Sequence, residues 1–151
     1  MTASVRAPER AAVSAVRRAA RTGYRWLLVA FLLGVATQIF LAGLGTFSFD
    51  TGRPASGALS AHQHLGFSLA GASILILVLA VAARPGRLAL WLAAAMVVQT
   101  VVLQGLLDGL ADNTVAFGGL HALDGFLIAA NAAAQYVLAR RRAGRPRPGP
   151  G

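Results

Sequence analysis

Residues 61–107, AHQHLGFSLAGASILILVLAVAARPGRLALWLAAAMVVQTVVLQGLL, decide the fold. Two apolar runs, 61–83 and 88–107, lie on either side of the basic turn Arg84-Pro85-Gly86-Arg87, and neither run contains Asp, Glu, Lys or Arg. Each run has about the 20 residues that an α-helix needs to cross a ~30 Å hydrocarbon layer. Because Pro and Gly end helices, this stretch predicts a membrane-spanning helical hairpin.

Two further apolar runs flank this hairpin, and the four together predict an all-α integral membrane four-helix bundle with up-down-up-down topology. The predicted helices cover about 26–44, 61–83, 88–107 and 115–139. A basic N-terminal segment, 1–24, precedes the transmembrane domain at 25–140, and a Pro/Gly-rich basic tail at 141–151 is predicted to be disordered. The N-terminal segment fits either a short interfacial helix or a frayed tail.

Composition and charge support the membrane prediction. The chain is 56% hydrophobic and only 13% charged, whereas soluble domains carry about 25% charged residues. Of its 14 basic residues, all Arg, 13 lie at 6–25, in the 84–87 turn and at 140–147. The positive-inside rule therefore places both termini in the cytoplasm, and it accounts for the net charge of +9 without a nucleic-acid partner.

Polar residues within the apolar runs are the candidates for a site, because a polar group in lipid is costly unless it faces the bundle interior. They are Gln38, His62, His64, Gln99, Gln104, His121, Asp124, Asn131 and Gln135. The absence of Cys excludes thiolate metal sites, disulfides and covalently attached c-type haem.

A short internal repeat relates the second and fourth runs. Both open with the pattern H-x-x-x-G-F, at His62 to Phe67 and at His121 to Phe126. With Gln38 and Gln99 preceding Gly-Leu pairs at a similar offset, the chain fits two similar hairpins. This places His62 and His121 at one depth, near the outer face.

Two histidines on facing helices indicate a bis-histidine site for b-type haem. His62 and His121 are the predicted iron ligands, and His64 is the alternative to His62 if the second helix starts late. Gly66 and Gly125 would admit a flat porphyrin. The second ring nitrogen of a ligand would be held by Asp124 or by a glutamine, with Gln38 and Gln99 completing the cofactor-binding set.

Other interpretations of these residues remain open. The polar residues could form a structural layer in a non-catalytic accessory subunit, with a membrane protein or a second copy as partner. Another metal, a quinone or a proton path would use the same layer. Asp124 fits a proton relay, or a carboxylate that is solvated or paired with His64. No nucleophile–base pair or phosphate loop is present, so no catalytic residue is predicted.

On these residues the chain resembles a family of small bacterial four-helix membrane proteins of unknown function, over roughly 25–140. The resemblance rests on the stretch from Gln38 to Gly45, the His62/Gly66 opening, Gln99, and Leu120-His121-Ala-Leu. It implies that the protein lies in a bacterial inner membrane. Members of that family tend to have Asn at the position that Asp124 occupies in this chain.

More distantly, the layout looks like one half of haem A synthase, a His-bearing four-helix bundle that holds haem. This likeness implies haem at His62 and His121. The oxidase activity is not carried over, since the His-Arg pair common in that enzyme is replaced by His62-Gln63 in this chain.

Overall fold

The computed structural model describes residues 6–52 and 57–143, which form four long helices. These run Arg6–Thr51, Ala58–Ala83, Arg87–Ala111 and Val115–Ala143. Each is long and apolar enough to cross a membrane, which confirms the all-α membrane four-helix bundle. Arg53, the residues before Arg6 and the predicted disordered tail beyond residue 143 lie outside the described residues.

The first helix extends well beyond the predicted span of 26–44. It is continuous through most of the basic N-terminal segment because 9–22 contains no Pro or Gly that would end it, and Pro8 lies in the first turn, where proline is tolerated. Gly52 and Gly57, with φ angles of 63° and 89°, stand at either end of the connection to the second helix. These left-handed angles suit glycine, which has no Cβ to clash.

The four helices pack in a square. The first helix contacts the second and the fourth, and the third helix also contacts the second and the fourth. In the described residues, helices on the diagonals make no close backbone contact. The largest side chains of the core are Tyr24, Leu28, Phe31, Ile76 and Met96.

Large apolar side chains cover the outside of this square. Trp26, Phe67 and Trp91 are each 70% exposed or slightly more. An apolar surface of this extent is what lipid-facing helices require, since lipid tails then replace water around the bundle.

The third helix contains a π-helical turn at Val98–Leu103. The backbone N–H of Gln104 bonds the carbonyl of Gln99, five residues earlier. In a regular α-helix, residues five apart point about 140° away from each other. The wider π turn reduces this angle to about 50°, so that both glutamines face the fourth helix.

Candidate functional site

The imidazole rings of His62 and His121 lie next to each other across a diagonal of the bundle. Their centroids are 6.2 Å apart and their planes are inclined at 50°. His64 is exposed instead, with its Nδ1 2.7 Å from the carbonyl oxygen of Ser60. The second helix begins at Ala58, which places His62 more than one turn inside it. The sequence left His62 and His64 as alternatives, and of the two it is His62 that lies beside His121.

Each of these histidines is bound to a glutamine of its own hairpin in the same reciprocal way. Gln38 Nε2 donates to the His62 carbonyl at 2.8 Å, and His62 Nδ1 lies 3.1 Å from the Gln38 carbonyl. Gln104 Nε2 donates to the His121 carbonyl at 3.0 Å, and His121 Nδ1 lies 3.3 Å from the Gln104 carbonyl. A carbonyl oxygen only accepts, so each Nδ1 carries a hydrogen, and in a neutral imidazole the Nε2 then keeps its lone pair.

These contacts match Gln38 with Gln104 across the two hairpins, whereas the sequence offset had matched it with Gln99. Gln104 was therefore missing from the predicted site. Gln99 and Gln104 both precede His121 across the same helix connection, so their order along the chain does not single out Gln104. The π turn also hides the pairing of Gln104 with His121, because a helical period of 3.6 residues assigns Gln104 and Gln99 to different faces.

Asp124 is buried, with 3% of its surface exposed. Its Oδ1 accepts from Gln99 Nε2 at 3.2 Å and its Oδ2 from Gln104 Nε2 at 2.9 Å. The sequence offered Asp124 as a partner for His64 or as support for a histidine ring. In the structure the two Gln amides bind it, and a backbone carbonyl holds the His121 ring instead.

Gln99 continues from Asp124 into a chain of hydrogen bonds that we call the polar ladder, Asp124–Gln99–Asn131–Gln135–Tyr24. Asn131 Nδ2 donates to Gln99 Oε1 at 3.0 Å, Gln135 Nε2 to Asn131 Oδ1 at 2.9 Å, and the Tyr24 hydroxyl to Gln135 Oε1 at 2.8 Å. Tyr24 is 1% exposed, and its hydroxyl ends this ladder. The ladder ties together the first, third and fourth helices.

A cavity of about 730 Å³ adjoins the histidine pair. The polar and glycine residues that line it include His62, His121, Gln38, Gln104, Gly66 and Gly125. A Cβ added to Gly125 would meet nothing within 4 Å, whereas one added to Gly66 would lie 3.1 Å from Gln38 Nε2. Gly66 thus makes room for the Gln38 amide, and Gly125 faces open space. Gln38 Oε1 is buried and accepts no hydrogen bond from the described residues.

The described residues contain no group of three or more His, Cys, Asp or Glu that could hold a metal ion. In comparisons with known proteins, no family model, curated protein or solved structure matches the chain.

Proposed function

We propose that this protein binds one b-type haem between His62 and His121 and serves in electron transfer or haem handling. The proposal rests on the two neighbouring imidazoles, whose ring centroids are 6.2 Å apart and whose Nδ1 atoms are both held by backbone carbonyls. Fixing Nδ1 in this way selects the tautomer in which Nε2 is free to bind a metal.

The separation of the rings fits one metal ion between them. A metal–imidazole bond is about 2 Å long and the ring centroid lies about 1 Å further on. Two ligands on opposite sides therefore place the centroids about 6 Å apart, which agrees with the observed 6.2 Å.

The donor set favours a tetrapyrrole over a bare metal ion. A structural zinc site needs four ligands and a catalytic one three, and the described residues offer no such group. A porphyrin supplies four nitrogens itself and needs only two axial histidines. The cavity of about 730 Å³ is within the size range of cofactor pockets, and the space beside Gly125 is open to a flat ring.

Each group of the chain would have a defined task in this site. His62 and His121 would bind the iron, and the carbonyls of Gln38 and Gln104 would orient their rings. Haem, when bound, supplies one-electron chemistry. Asp124 would place a carboxylate one turn from His121, where it would offset positive charge on the iron.

A visible spectrum of the detergent-purified protein from haem-replete cells tests the proposal. We expect a Soret band with reduced α and β bands, absent from His62→Ala and His121→Ala variants. The matched control is His64→Ala, on the same helix, which should keep the spectrum. A colourless wild-type protein that also fails to take up added haem would refute the proposal.

A second candidate is an accessory membrane subunit without cofactor. It is favoured by the polar ladder and the two Gln–His pairs, which satisfy most of the buried polar groups without a ligand. In this case the His62→Ala and His64→Ala variants would differ from each other only in stability. The wild-type protein would co-purify with a larger complex or as an oligomer.

For the orientation we propose that the protein lies in the cytoplasmic membrane with both termini inside, supported by the position of 13 of the 14 arginines. The chain has no Cys, so single cysteines can report on it. An impermeant thiol reagent added to intact cells should label Asn113→Cys and not Arg87→Cys. The reverse pattern would overturn the orientation.

A further inference from the structure

A second cavity, of about 720 Å³, lies at the end of the bundle opposite the histidine pair. Five arginines line it: Arg18, Arg21 and Arg25 of the first helix, Arg84 after the second helix, and Arg142 of the fourth. We call this cavity the arginine cleft. Three separate parts of the chain thus contribute cations to one space.

Local contacts position two of these arginines. Arg21 Nε donates to the carbonyl of Ala83 at 3.2 Å, which ties the first helix to the end of the second. The Arg142 guanidinium packs directly against Gly86, where a Cβ would collide with it. Gly86 also has a φ of 114°, which side-chain-bearing residues rarely adopt.

The charges in the cleft are uncompensated by its own lining. No carboxylate is found among the described residues that line it. Five like charges around one cavity repel each other unless an anion lies between them. Arginine also binds phosphate oxygens bidentately, which gives it an advantage over lysine at phosphate sites.

We propose that the arginine cleft binds the phosphate group of an anionic ligand. Its depth fits a phospholipid headgroup, because Arg25 and Arg84 border the uncharged runs that fill the hydrocarbon layer. Ala83 and Ala139 add apolar surface to the lining, which an acyl chain could cover. Free phosphate shares the same chemistry and is the alternative source.

The positive-inside rule already predicts arginines at this end, so the experiment must separate a cleft from a diffuse positive surface. The test variant is Arg84→Gln with Arg142→Gln, which removes two cations from the cleft. The matched control is Arg87→Gln with Arg141→Gln, which removes two exposed cations from the same turn and the same helix end without touching the lining.

Delipidated full-length protein would be titrated with dioleoylphosphatidylglycerol, dioleoylphosphatidylcholine or inorganic phosphate, with bound species counted by native mass spectrometry. We expect one or two phosphatidylglycerol molecules to bind in preference to phosphatidylcholine. Binding should weaken about tenfold in the test variant and less than twofold in the control. Inorganic phosphate that binds as tightly as phosphatidylglycerol would identify free phosphate as the source.

Equal weakening in both variants would overturn the proposal, because it would mean that only net charge matters. Equal binding of the two lipids by the wild-type protein, with no displacement by phosphate, would also overturn it. This second outcome needs no variant, so it holds even if the test variant does not fold.

Discussion

Deleting Val102 should leave the bundle and the contacts of Asp124 intact, although it removes one residue from the middle of a membrane helix. Val102 lies in the π turn and is 57% exposed, on the outside of the bundle. A π turn is wider than an α turn by about one residue. Removing one exposed residue there converts the turn to regular α-helix.

The geometry gives the size of the change. In the deletion variant, Gln99 and Gln104 become four residues apart, about 40° from each other on an α-helix. They are about 50° apart across the π turn, so both amides still reach Asp124. Because the extra residue widens the turn more than it lengthens it, the helix length should change by less than the α-helical rise of about 1.5 Å. We expect the free energy of unfolding to change by less than about 1 kcal/mol, below the cost of most disruptive mutations.

The control is deletion of Leu75, which is 50% exposed in the regular second helix. There a deletion rotates one half of the helix by about 100° relative to the other. Ser73 and Ile76, both fully buried on either side of it, cannot then both remain in the core. Either Ser73 would lose its 2.7 Å hydrogen bond to Thr100, or Ile76 would lose its packing in the core. We expect this variant to unfold or to be several kcal/mol less stable.

Denaturation of both variants in detergent, followed by circular dichroism with increasing dodecyl sulfate, measures the difference. If deletion of Val102 destabilises the protein as much as deletion of Leu75, the π turn does not act as a single-residue insertion. The wider turn would then not be the reason why Gln99 and Gln104 both reach Asp124.

Three further variants test individual contacts. Gly66→Ala should displace the Gln38 amide, since the new Cβ would lie 3.1 Å from its Nε2, and should lower the melting temperature in detergent; an unchanged value would contradict this packing. Gly125→Ala, with nothing within 4 Å of the new Cβ, should leave the melting temperature of the haem-free protein unchanged and weaken haem uptake, so unaltered uptake would exclude a porphyrin beside it. Tyr24→Phe removes the hydroxyl that donates to Gln135 and should cost about 0.6–1.7 kcal/mol of unfolding free energy, while a loss near zero would mean that this bond is not formed.

The helices and their number follow from the sequence because a membrane imposes a simple length rule. About 20 apolar residues are needed for each crossing, and Arg84-Pro85-Gly86-Arg87 cannot continue a helix through the hydrocarbon layer. The helix ends were less predictable. The first helix extends through most of the polar N-terminal segment, where the sequence fitted a short interfacial helix or a frayed tail equally and 9–22 contains no Pro or Gly.

The candidate site could be predicted in part. The H-x-x-x-G-F repeat placed His62 and His121 at one depth, and the structure brings their rings together. The glutamine partner of His121 could not be identified in the same way, because the π turn shifts the helix register between Gln99 and Gln104. The side chain of Asp124, from a neighbouring helix, binds both glutamines, and no local sequence pattern encodes such a tertiary contact.

The polar ladder and the histidine pair call for different explanations. Between Asp124 and Tyr24 the ladder consists of three amides, and Asn and Gln side chains do not exchange protonation states as they donate and accept. The ladder is therefore a poor proton path and a good structural tie between three helices. It accounts for the buried polar residues of the third and fourth helices without any ligand.

The polar ladder does not account for the two histidines. His62 and His121 each form their hydrogen bonds within their own hairpin, so bundle assembly alone does not require their rings to meet. Holding together the two helices of each hairpin would need only the Gln38 and Gln104 amides. These donate to backbone carbonyls, which any residue provides. The proposal of a bound haem therefore rests on these two imidazoles, whose ring centroids lie 6.2 Å apart across a diagonal of the bundle. The choice between a haem protein and an accessory subunit therefore depends on these two side chains and not on the rest of the polar layer.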